Sequence, residues 1–232
     1  MFNEINFHPT RVYYEADVDK YEQGKILLDK FETAGIPLIP IETHNNIAEI
    51  RSAADTDFPK IKDYLVLGIR KSHKLMPNPR SADYIVPFTS SGCGAMCTYC
   101  YLVCTFFKSS NLRIFVNREQ MMDNIERHSL KTPGRTVYEL GSNSDMVFEN
   151  AITGNLEWAI ERIGQTDRAF CTFSTKFSNV DPLLKLKHNG RSKFRVSLNP
   201  AEIIKKVEFR TSRLPARIEA ANKMYEAGYY TG

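Results

Sequence analysis

Long apolar runs are absent from this chain of 232 residues. A membrane-spanning helix needs about 18 or more consecutive apolar residues, and no stretch approaches that length. The first residues, Met-Phe-Asn-Glu-Ile-Asn, lack the basic segment followed by an apolar run that begins a secretory signal peptide. Internal repeats and low-complexity segments are missing as well, which argues against a repeat architecture. We therefore predict a cytoplasmic protein that has no membrane partner.

Cysteine is scarce, with five residues in the whole chain, and three of the five stand close together. This usage excludes a disulfide scaffold and predicts a reducing compartment. The hydrophobic fraction of 42% is enough for a sizeable core, and the length suits one large domain or two small ones.

The excess of positive charge is small, at +4. Basic residues nevertheless concentrate in the C-terminal part of the chain. They are Lys185, Lys187, His188, Arg191, Lys193 and Arg195, followed by Arg210, Arg213 and Arg217. Two interpretations stay open, a contact surface for a polyanion such as DNA and an ordinary solvated surface.

Cys93, Cys97 and Cys100 form the run C-x3-C-x2-C, directly after an apolar, strand-like stretch at 83–88. Clustered thiolates select iron–sulfur clusters, zinc or copper(I). A 4Fe–4S cluster normally takes four cysteines, so three would leave one iron open to a substrate, with the ring of Tyr99 beside it. The alternatives are a zinc site, a disulfide pair or buried core cysteines. Zinc sites usually add a second cysteine pair or histidines, and no second pair follows here.

The first 80 residues predict a small N-terminal α/β lobe. Apolar and β-branched runs predict its strands at 11–15, 37–41 and 64–68. Apolar residues at roughly helical spacing predict a helix over 18–31. The sequence Met76-Pro-Asn-Pro79 is typical of a linker, so we predict a lobe over 1–80 and a second domain over 81–232.

The second domain alternates between strands and helices. Its predicted strands are 83–88, 136–140, 169–175 and 194–198. Its predicted helices are 118–128, 153–164, 180–187 and 214–227. Such alternation is typical of parallel β/α units, whose functional sites lie at the carboxyl ends of the strands. The last helix would precede a fifth strand.

Two resemblances extend this interpretation. The cysteine run, C-x3-C-x-aromatic-C, resembles the signature of the radical S-adenosylmethionine superfamily. Further blocks, spread over almost the whole chain, are similar in order and approximate spacing to those of the spore photoproduct lyase family. These blocks are Val12-Tyr-Tyr-Glu15, Thr43-His-Asn45, Thr89 to Leu102, Leu112 to Arg118, Ser144-Asp145, Ser174-Thr-Lys176, His188-Asn-Gly190, Phe194 to Asn199 and Ala227-Gly-Tyr229.

The resemblance implies an α/β fold in which a partial (β/α) radical S-adenosylmethionine barrel follows the small N-terminal lobe. That barrel usually has six strands. Four parallel strands would leave an unpaired, apolar edge, so we expect the chain to be a truncated piece of a longer protein.

The resemblance also implies a reaction, the repair of a methylene-bridged thymine dimer in DNA. A 4Fe–4S cluster and S-adenosylmethionine would be the cofactors. The reduced cluster would cleave S-adenosylmethionine, and the resulting 5′-deoxyadenosyl radical would take a hydrogen from the lesion, after which the bridge fragments. The expected partners are damaged DNA and an electron donor such as flavodoxin or ferredoxin.

Site residues follow from the same blocks. Cys93, Cys97 and Cys100 would bind the cluster. The remaining residues would line the cofactor pocket or hold S-adenosylmethionine or the adjacent lesion. They are Tyr99, Tyr101, Ser144, Lys176 and Ser197. A lysine supplies three donors and a point charge that suit a carboxylate.

One position departs from the family pattern. The family has a hydrogen-donating cysteine two residues before the Ser-Asp pair, and Ser142 stands there in this chain. A serine O–H bond is too strong to give a hydrogen atom readily to a carbon radical. Cys104, Tyr99 or Tyr101 could donate instead, whereas Cys171 is predicted to be a core residue.

This departure leaves three hypotheses for the function. The first is a lyase similar to the family, and the second is a radical S-adenosylmethionine enzyme that acts on another substrate. The third is a non-catalytic iron–sulfur or zinc-binding protein.

Overall fold

Short strands and helices alternate through the residues that the computed structural model describes, 7–78 and 80–232. The strands are β1 (Arg11–Glu15), β2 (Leu38–Ile41), β3 (Tyr64–Gly68), β4 (Met76–Pro77), β5 (Tyr84–Ile85), β6 (Ser90–Ser91), β7 (Met96–Cys97), β8 (Arg113–Phe115), β9 (Thr136–Glu139), β10 (Ala169–Thr175), β11 (Ser192–Val196), β12 (Glu208–Phe209) and β13 (Tyr230–Thr231). The α-helices are α1 (Glu22–Thr33), α2 (Ala48–Ser52), α3 (Phe58–Ile61), α4 (Tyr101–Phe106), α5 (Arg118–Lys131), α6 (Met146–Thr153), α7 (Asn155–Gly164), α8 (Ala201–Val207) and α9 (Leu214–Glu226).

The strands form two larger sheets and one ribbon. The first sheet has the order β2-β1-β3-β8-β6, parallel except for β6. The second has the order β13-β11-β10-β9-β5-β4, parallel except for β4. It is an open sheet, since β13 and β4 stand at its two ends. The ribbon pairs β7 with β12 in antiparallel fashion. The fold is therefore mixed α/β, and the partial barrel remains a prediction.

The strand predictions differ in how closely they match the observed bounds. β1, β3 and β10 have the predicted bounds. The strand predicted over 83–88 shrinks to β5, because Pro87 has no N–H group with which to continue the ladder. The strand predicted over 194–198 begins and ends two residues earlier, as β11. A fifth parallel strand, β13, follows the last helix and pairs with β11.

The helix predictions over 118–128 and 214–227 correspond to α5 and α9. The helix predicted over 153–164 is divided at Gly154, whose φ of +69° ends α6 before α7 begins. The prediction over 180–187 is wrong beyond a short 3-10 turn at Asp181–Leu183. The helix predicted over 18–31 starts late, at Glu22, after a separate 3-10 turn.

The linker prediction over 76–79 is wrong at Met76–Pro77, which pair with β5 as strand β4. Pro79, like residues 1–6 of the predicted lobe, lies outside the described residues. The first sheet combines three strands from before residue 80 with two from after it. One continuous core joins Leu27 and Phe31 of α1 to Phe173 of β10. The division at residue 80 stays a prediction.

No helix in the described part of the chain is both long enough and apolar enough to cross a membrane.

Candidate active site

The cysteine loop, residues 92–100, begins at a close backbone crossing that requires glycine. Gly92 has a φ of +78°, and a Cβ atom there would lie 1.9 Å from the carbonyl oxygen of Asn111. The next N–H group, that of Cys93, donates to the carbonyl of Ser110 at 3.2 Å. The start of the cysteine loop is thereby fixed against the segment that precedes β8.

The far end of the cysteine loop is held by the β7–β12 ribbon. Cys97 lies opposite Glu208 in this ribbon. The N–H group of Thr98 adds a hydrogen bond to the carbonyl of Val207 at 2.9 Å. The ribbon thus brings a carboxylate that is remote in sequence next to the second cysteine.

The three cysteines of the loop are free thiols, and Cys93 and Cys97 are buried while Cys100 is half-buried. Burial raises the pKa of Cys93 to about 12 and that of Cys97 to about 11. Both thiols are therefore protonated at neutral pH, and a metal centre would have to displace those protons. The described residues contain no group of three or more Cys, His, Asp or Glu arranged to hold a single metal ion.

The three cysteines face one cavity of about 250 Å³ at the carboxyl ends of β9, β10 and β11. The lining residues are Cys93, Ala95, Cys97, Tyr99, Cys100, Tyr101, Leu102, Glu139, Gly141, Ser142, Ser144, Asp145, Ser174, Thr175, Lys176, Phe177 and Ser197. The structure thus brings together all but one of the residues that the sequence predicted for the site. The exception is Cys104, which is exposed on α4 and is not part of this lining.

Glu208 organises one wall of the cavity, although its own side chain is fully buried. Its Oε1 atom accepts hydrogen bonds from Lys176 Nζ at 2.7 Å, from Asn199 Nδ2 at 2.8 Å and from the Tyr99 hydroxyl. Burial opposes the ionisation of Glu208, but the hydrogen bonds outweigh it and lower the pKa of Glu208 to about 2. The carboxylate is therefore charged and fixes Lys176 and Tyr99 relative to the cysteines.

Arg217 is the second charged partner of Glu208, and it is fully buried. Its Nη2 atom lies 2.6 Å from Glu208 Oε2, and its Nη1 atom donates to the carbonyl of Ser197 at 2.8 Å. The interpretation of Arg217 as part of a basic surface is therefore wrong. Arg217, Ala220 and Met224 are the buried residues of α9. Their spacing is the signal that could have placed Arg217 on the buried face.

Asp145 joins two of the strand ends that line the cavity. It caps α6 by accepting from the Phe148 N–H, and it also accepts from the Thr175 hydroxyl at 2.7 Å and the Lys176 N–H at 2.9 Å. Burial raises its pKa from the ordinary value. The neighbouring Ser144 is hydrogen-bonded to the hydroxyl of Ser90 at 2.8 Å.

Glu149 is a second fully buried carboxyl group, behind the start of the cysteine loop. Its donors are Asn155 Nδ2 at 2.7 Å, Thr89 Oγ1 at 2.9 Å, Ser90 Oγ at 3.0 Å and Thr153 Oγ1 at 3.1 Å. All four donors are neutral, and burial raises the pKa of Glu149. Sequence reasoning missed this residue, because it lies in a mostly apolar helix and carries no spacing signal.

Tyr101 and Ser142 are direct neighbours at the mouth of the cavity. The Tyr101 hydroxyl donates to the carbonyl of Ser142, and it lies 3.1 Å from Asn143 Oδ1. Gly141, with a φ of +72°, makes the preceding turn. Ser142 also lines a second hollow of about 250 Å³ on the other side of this turn, where Arg70 and Lys74 supply positive charge.

The basic cluster at 185–195 is only partly a free surface. Arg195 pairs with Glu139 at 2.7 Å, Arg191 lies over the ring of Phe170, and His188 stacks on Tyr229. The exposed members are Lys185, Lys187 and Lys193. Within 185–195 the predicted polyanion surface is therefore reduced to these three lysines, and of the arginines that follow, Arg210, which pairs with Asp63, and Arg213 are exposed.

Comparison with known proteins gives a consistent result. The family model described as "Spore photoproduct lyase" matches residues 7–232. The spore photoproduct lyase of Bacillus subtilis (strain 168) is 39% identical over 228 residues, which are 97% of this chain and 66% of that protein. The spore photoproduct lyase of Geobacillus sp. (strain Y412MC61) is 35% identical, over 97% of this chain and 67% of that protein. The chain thus spans about two thirds of the length of these relatives.

Solved structures agree in fold. A spore photoproduct lyase complexed with dinucleoside spore photoproduct matches with a TM-score of 0.92 and 34% identity, over 97% of this chain and 67% of that one. A mutant spore photoproduct lyase with bound AdoMet and the same dinucleoside matches with the same TM-score, identity and coverage.

Proposed function

Because this chain belongs to the spore photoproduct lyase family, we propose that it is a DNA-repair lyase that splits the methylene-bridged thymine dimer by radical S-adenosylmethionine chemistry. One observation carries the proposal. Three cysteines of one loop and five predicted cofactor residues from several segments line a single cavity. The related structures that hold AdoMet and dinucleoside spore photoproduct support both ligands for this chain.

The residues present fit a 4Fe–4S cluster with one open iron. Cys93, Cys97 and Cys100 would hold three irons, since all three are free thiols on one loop that face the same space. When bound, the cluster and S-adenosylmethionine supply the radical that abstracts hydrogen. The chain itself positions these groups and excludes water from them.

Lys176 is the candidate partner for the carboxylate of S-adenosylmethionine. Its ammonium group donates to Glu208 and lies 2.9 Å from the Tyr99 hydroxyl. An ammonium has three protons, so one donor remains for a ligand in the cavity. Burial works against the charge of Lys176, but the bonds to Glu208 and Tyr99 raise its pKa and keep it cationic.

Tyr101 is the candidate for the hydrogen donor that completes the reaction. The position of Tyr101 favours this residue over Cys104 as the donor, because the Tyr101 hydroxyl donates to the Ser142 carbonyl while Cys104 is exposed on α4. The donor would give a proton and an electron together to the product radical. The hollow beyond Ser142, with Arg70 and Lys74, offers space for the lesion beside the cofactor.

Ser142 also supports a second candidate, a radical S-adenosylmethionine enzyme of this family with another substrate. The replacement removes the thiol that finishes the family's reaction, and a different substrate would not require it.

The cluster is tested by anaerobic reconstitution with iron and sulfide. We expect about four irons per chain, as for a 4Fe–4S cubane. Replacement of Cys93, Cys97 or Cys100 by Ala should abolish iron binding, whereas Cys104→Ala, the matched control, should retain it. Equal loss in Cys104→Ala would mean four protein ligands and no open iron, which contradicts the proposal.

The substrate is tested with synthetic dinucleoside spore photoproduct and mass spectrometry of the products. We expect thymine formation by the wild type, slower or less clean turnover in Tyr101→Phe, and no change in Cys104→Ala. Ser142→Cys should give at least as clean a product, because a thiol donates hydrogen atoms more readily than a phenol. If wild type and Ser142→Cys release 5′-deoxyadenosine but leave the lesion intact, the other-substrate candidate is correct.

A further inference from the structure

Lys62, in the N-terminal part of the chain, is a lysine with almost no contact with water. It follows α3 directly, and the residue is 1% exposed. Its Nζ atom donates to the carbonyl of Ser110 at 2.9 Å and lies 5.6 Å from the ring centre of Phe58. Lysine is almost never fully buried unless an opposite charge accompanies it. The partners just named are neutral, so the position calls for a negative group nearby.

The cysteine loop adjoins the ammonium group of Lys62 through one shared carbonyl. The carbonyl of Ser110 that accepts from Lys62 also accepts from the N–H group of Cys93, so a single oxygen separates the ammonium from the loop. Burial lowers the pKa of Lys62, and Cys93, Cys100 and Cys97 all act in the opposite direction. A cluster held by these cysteines would place negative charge beside the buried ammonium group.

Two further polar atoms in the same layer lack a partner among the described residues. The hydroxyl of Ser110 and the Oδ1 atom of Asn111 are buried without a hydrogen bond. Unsatisfied buried polar atoms are rare in native proteins. A lysine without a counter-ion and an unpaired hydroxyl, that of Ser110, both adjoin the start of the cysteine loop, and both could donate to an anionic group in that loop, whereas Asn111 Oδ1 is an acceptor and could not.

We propose that Lys62 is the internal counter-charge of the iron–sulfur cluster, which makes the cluster easier to reduce and retains it in the protein. This inference rests on the proposed function, since it requires the cluster. The added electron makes the cluster more negative, so a fixed positive charge in a dry environment stabilises the reduced state more than the oxidised one. Lys62 acts through charge and does not touch the substrate.

The charge has opposite consequences in the empty and the loaded protein. In the empty protein the ammonium is a buried charge without a compensating anion, so its replacement by an apolar residue of similar shape should leave stability unchanged or raise it. In the loaded protein the same replacement removes a favourable charge pair. A lysine that serves only packing would lower stability in both states when replaced.

The test compares Lys62→Met, which removes the charge, with Lys62→Gln, which keeps a donor for the Ser110 carbonyl but carries no charge. Lys30→Met is the control, because Lys30, which is half-buried in the N-terminal part, also donates to a backbone carbonyl, that of Ile152 at 2.7 Å. Three quantities are measured: the thermal midpoint of the empty protein, the iron retained after gel filtration, and the cluster potential from an EPR-monitored redox titration.

For both Lys62 variants we expect an unchanged or higher midpoint when empty, loss of iron on gel filtration, and a reduction equilibrium about tenfold less favourable, which is ~59 mV for a one-electron couple. Lys30→Met should keep the wild-type potential. A wild-type potential in Lys62→Met, or in Lys62→Gln alone, would overturn the counter-charge role. An equal shift of the potential in Lys30→Met would also overturn it, and so would a Lys62→Met protein that fails to fold when empty. If the wild type binds no iron, the proposed function itself fails, and this inference fails with it.

Discussion

Two buried glutamates hold the two ends of the cysteine loop, and they do so in opposite ways. Glu149, behind the start of the loop, accepts hydrogen bonds only from neutral hydroxyl and amide groups. Glu208, at the end of the loop, is bonded to the cations Lys176 and Arg217. Burial raises the pKa of Glu149, whereas the hydrogen bonds to Glu208 outweigh burial and lower its pKa to about 2.

The two networks differ in how they respond to the charge of the glutamate at their centre. Hydroxyl groups can reverse their donor and acceptor roles, so the network of Glu149 tolerates a change in the charge of its centre. The network of Glu208 cannot do so, because its cations have only protons to donate. Two members of this network, Lys176 and Tyr99, line the cavity, so the charge of Glu208 determines how these two predicted cofactor residues are positioned.

The largest expected effect is the loss of stability in Glu208→Gln. This change leaves the fully buried Arg217 without its counter-charge, and breaking a buried pair in this way costs about 3–5 kcal/mol. Glu149→Gln, the matched change in the other network, should cost about 1 kcal/mol, because its hydroxyl partners can reorient. Urea unfolding followed by the fluorescence of the single tryptophan measures both. Equal losses of stability in the two variants would contradict the difference between the two networks.

A second variant distinguishes charge from shape in the same network. The double change Glu208→Gln with Arg217→Met removes both charges of the buried pair. It should be more stable than Glu208→Gln alone, since no uncompensated buried charge remains. A double variant that is less stable than Glu208→Gln would show that the arginine contributes through its bonds to the Ser197 and Ser212 carbonyls and not through its charge.

The next effect is on stability against acid. Because the folded pKa of Glu208 lies below the ordinary value of 4.5, its contribution is present above about pH 4.5 and is lost as the pH falls toward about 2. The pKa of Glu149 is raised, so its contribution has the reverse sign and is lost as the pH rises through that raised value. Glu208→Gln should therefore flatten the decline in unfolding free energy between pH 4.5 and 2, while Glu149→Gln should keep it. An unchanged slope in Glu208→Gln would contradict the lowered pKa.

The same contrast explains what could be predicted from sequence. The cysteines could be grouped from their own spacing, whereas the resemblance to the family assigned Tyr99, Lys176 and Ser197 to the site. The strands at β9, β10 and β11 were recognisable, and the carboxyl ends of parallel strands meet at one edge, which is where these residues lie. The charged network of Glu208, which lies behind these residues, could not be predicted from the sequence. Glu208 follows the short helix α8 and forms part of a ribbon only two residues long, and nothing local to it shows that Cys97 lies opposite.

Helix ends limited the fold prediction in a similar way. One helix was predicted over 153–164, yet the left-handed conformation of Gly154 ends α6 at Thr153, and α7 begins at Asn155. α6 carries both Asp145, as its cap, and Glu149. Missing this helix therefore meant missing the neutral network as well.

The smallest expected effect is the difference between Tyr99→Phe and Tyr101→Phe. Tyr99 and Tyr101 are similarly exposed, at 53% and 55%, and each donates a hydrogen bond to a neighbouring segment. Only Tyr99 bonds to Glu208, so Tyr99→Phe should raise the pKa of Glu208 and make acid unfolding begin at a higher pH, with a stability loss of about 0.5–1.5 kcal/mol at pH 7. Tyr101→Phe removes a bond to the Ser142 carbonyl and should leave the acid profile unchanged.

Parallel urea titrations of the two variants from pH 7 to pH 3 decide the matter, because each change removes one tyrosine hydroxyl and only Tyr99→Phe removes a hydrogen bond to Glu208. If the pH at which stability begins to fall shifts in Tyr99→Phe alone, the acid sensitivity of the protein comes from the charged network of Glu208 at the end of the cysteine loop. Equal shifts in both variants would mean that this sensitivity comes from a group that the two tyrosines influence equally. Glu208 would then not be its source, since the structure gives it a bond to Tyr99 and none to Tyr101 within the described residues.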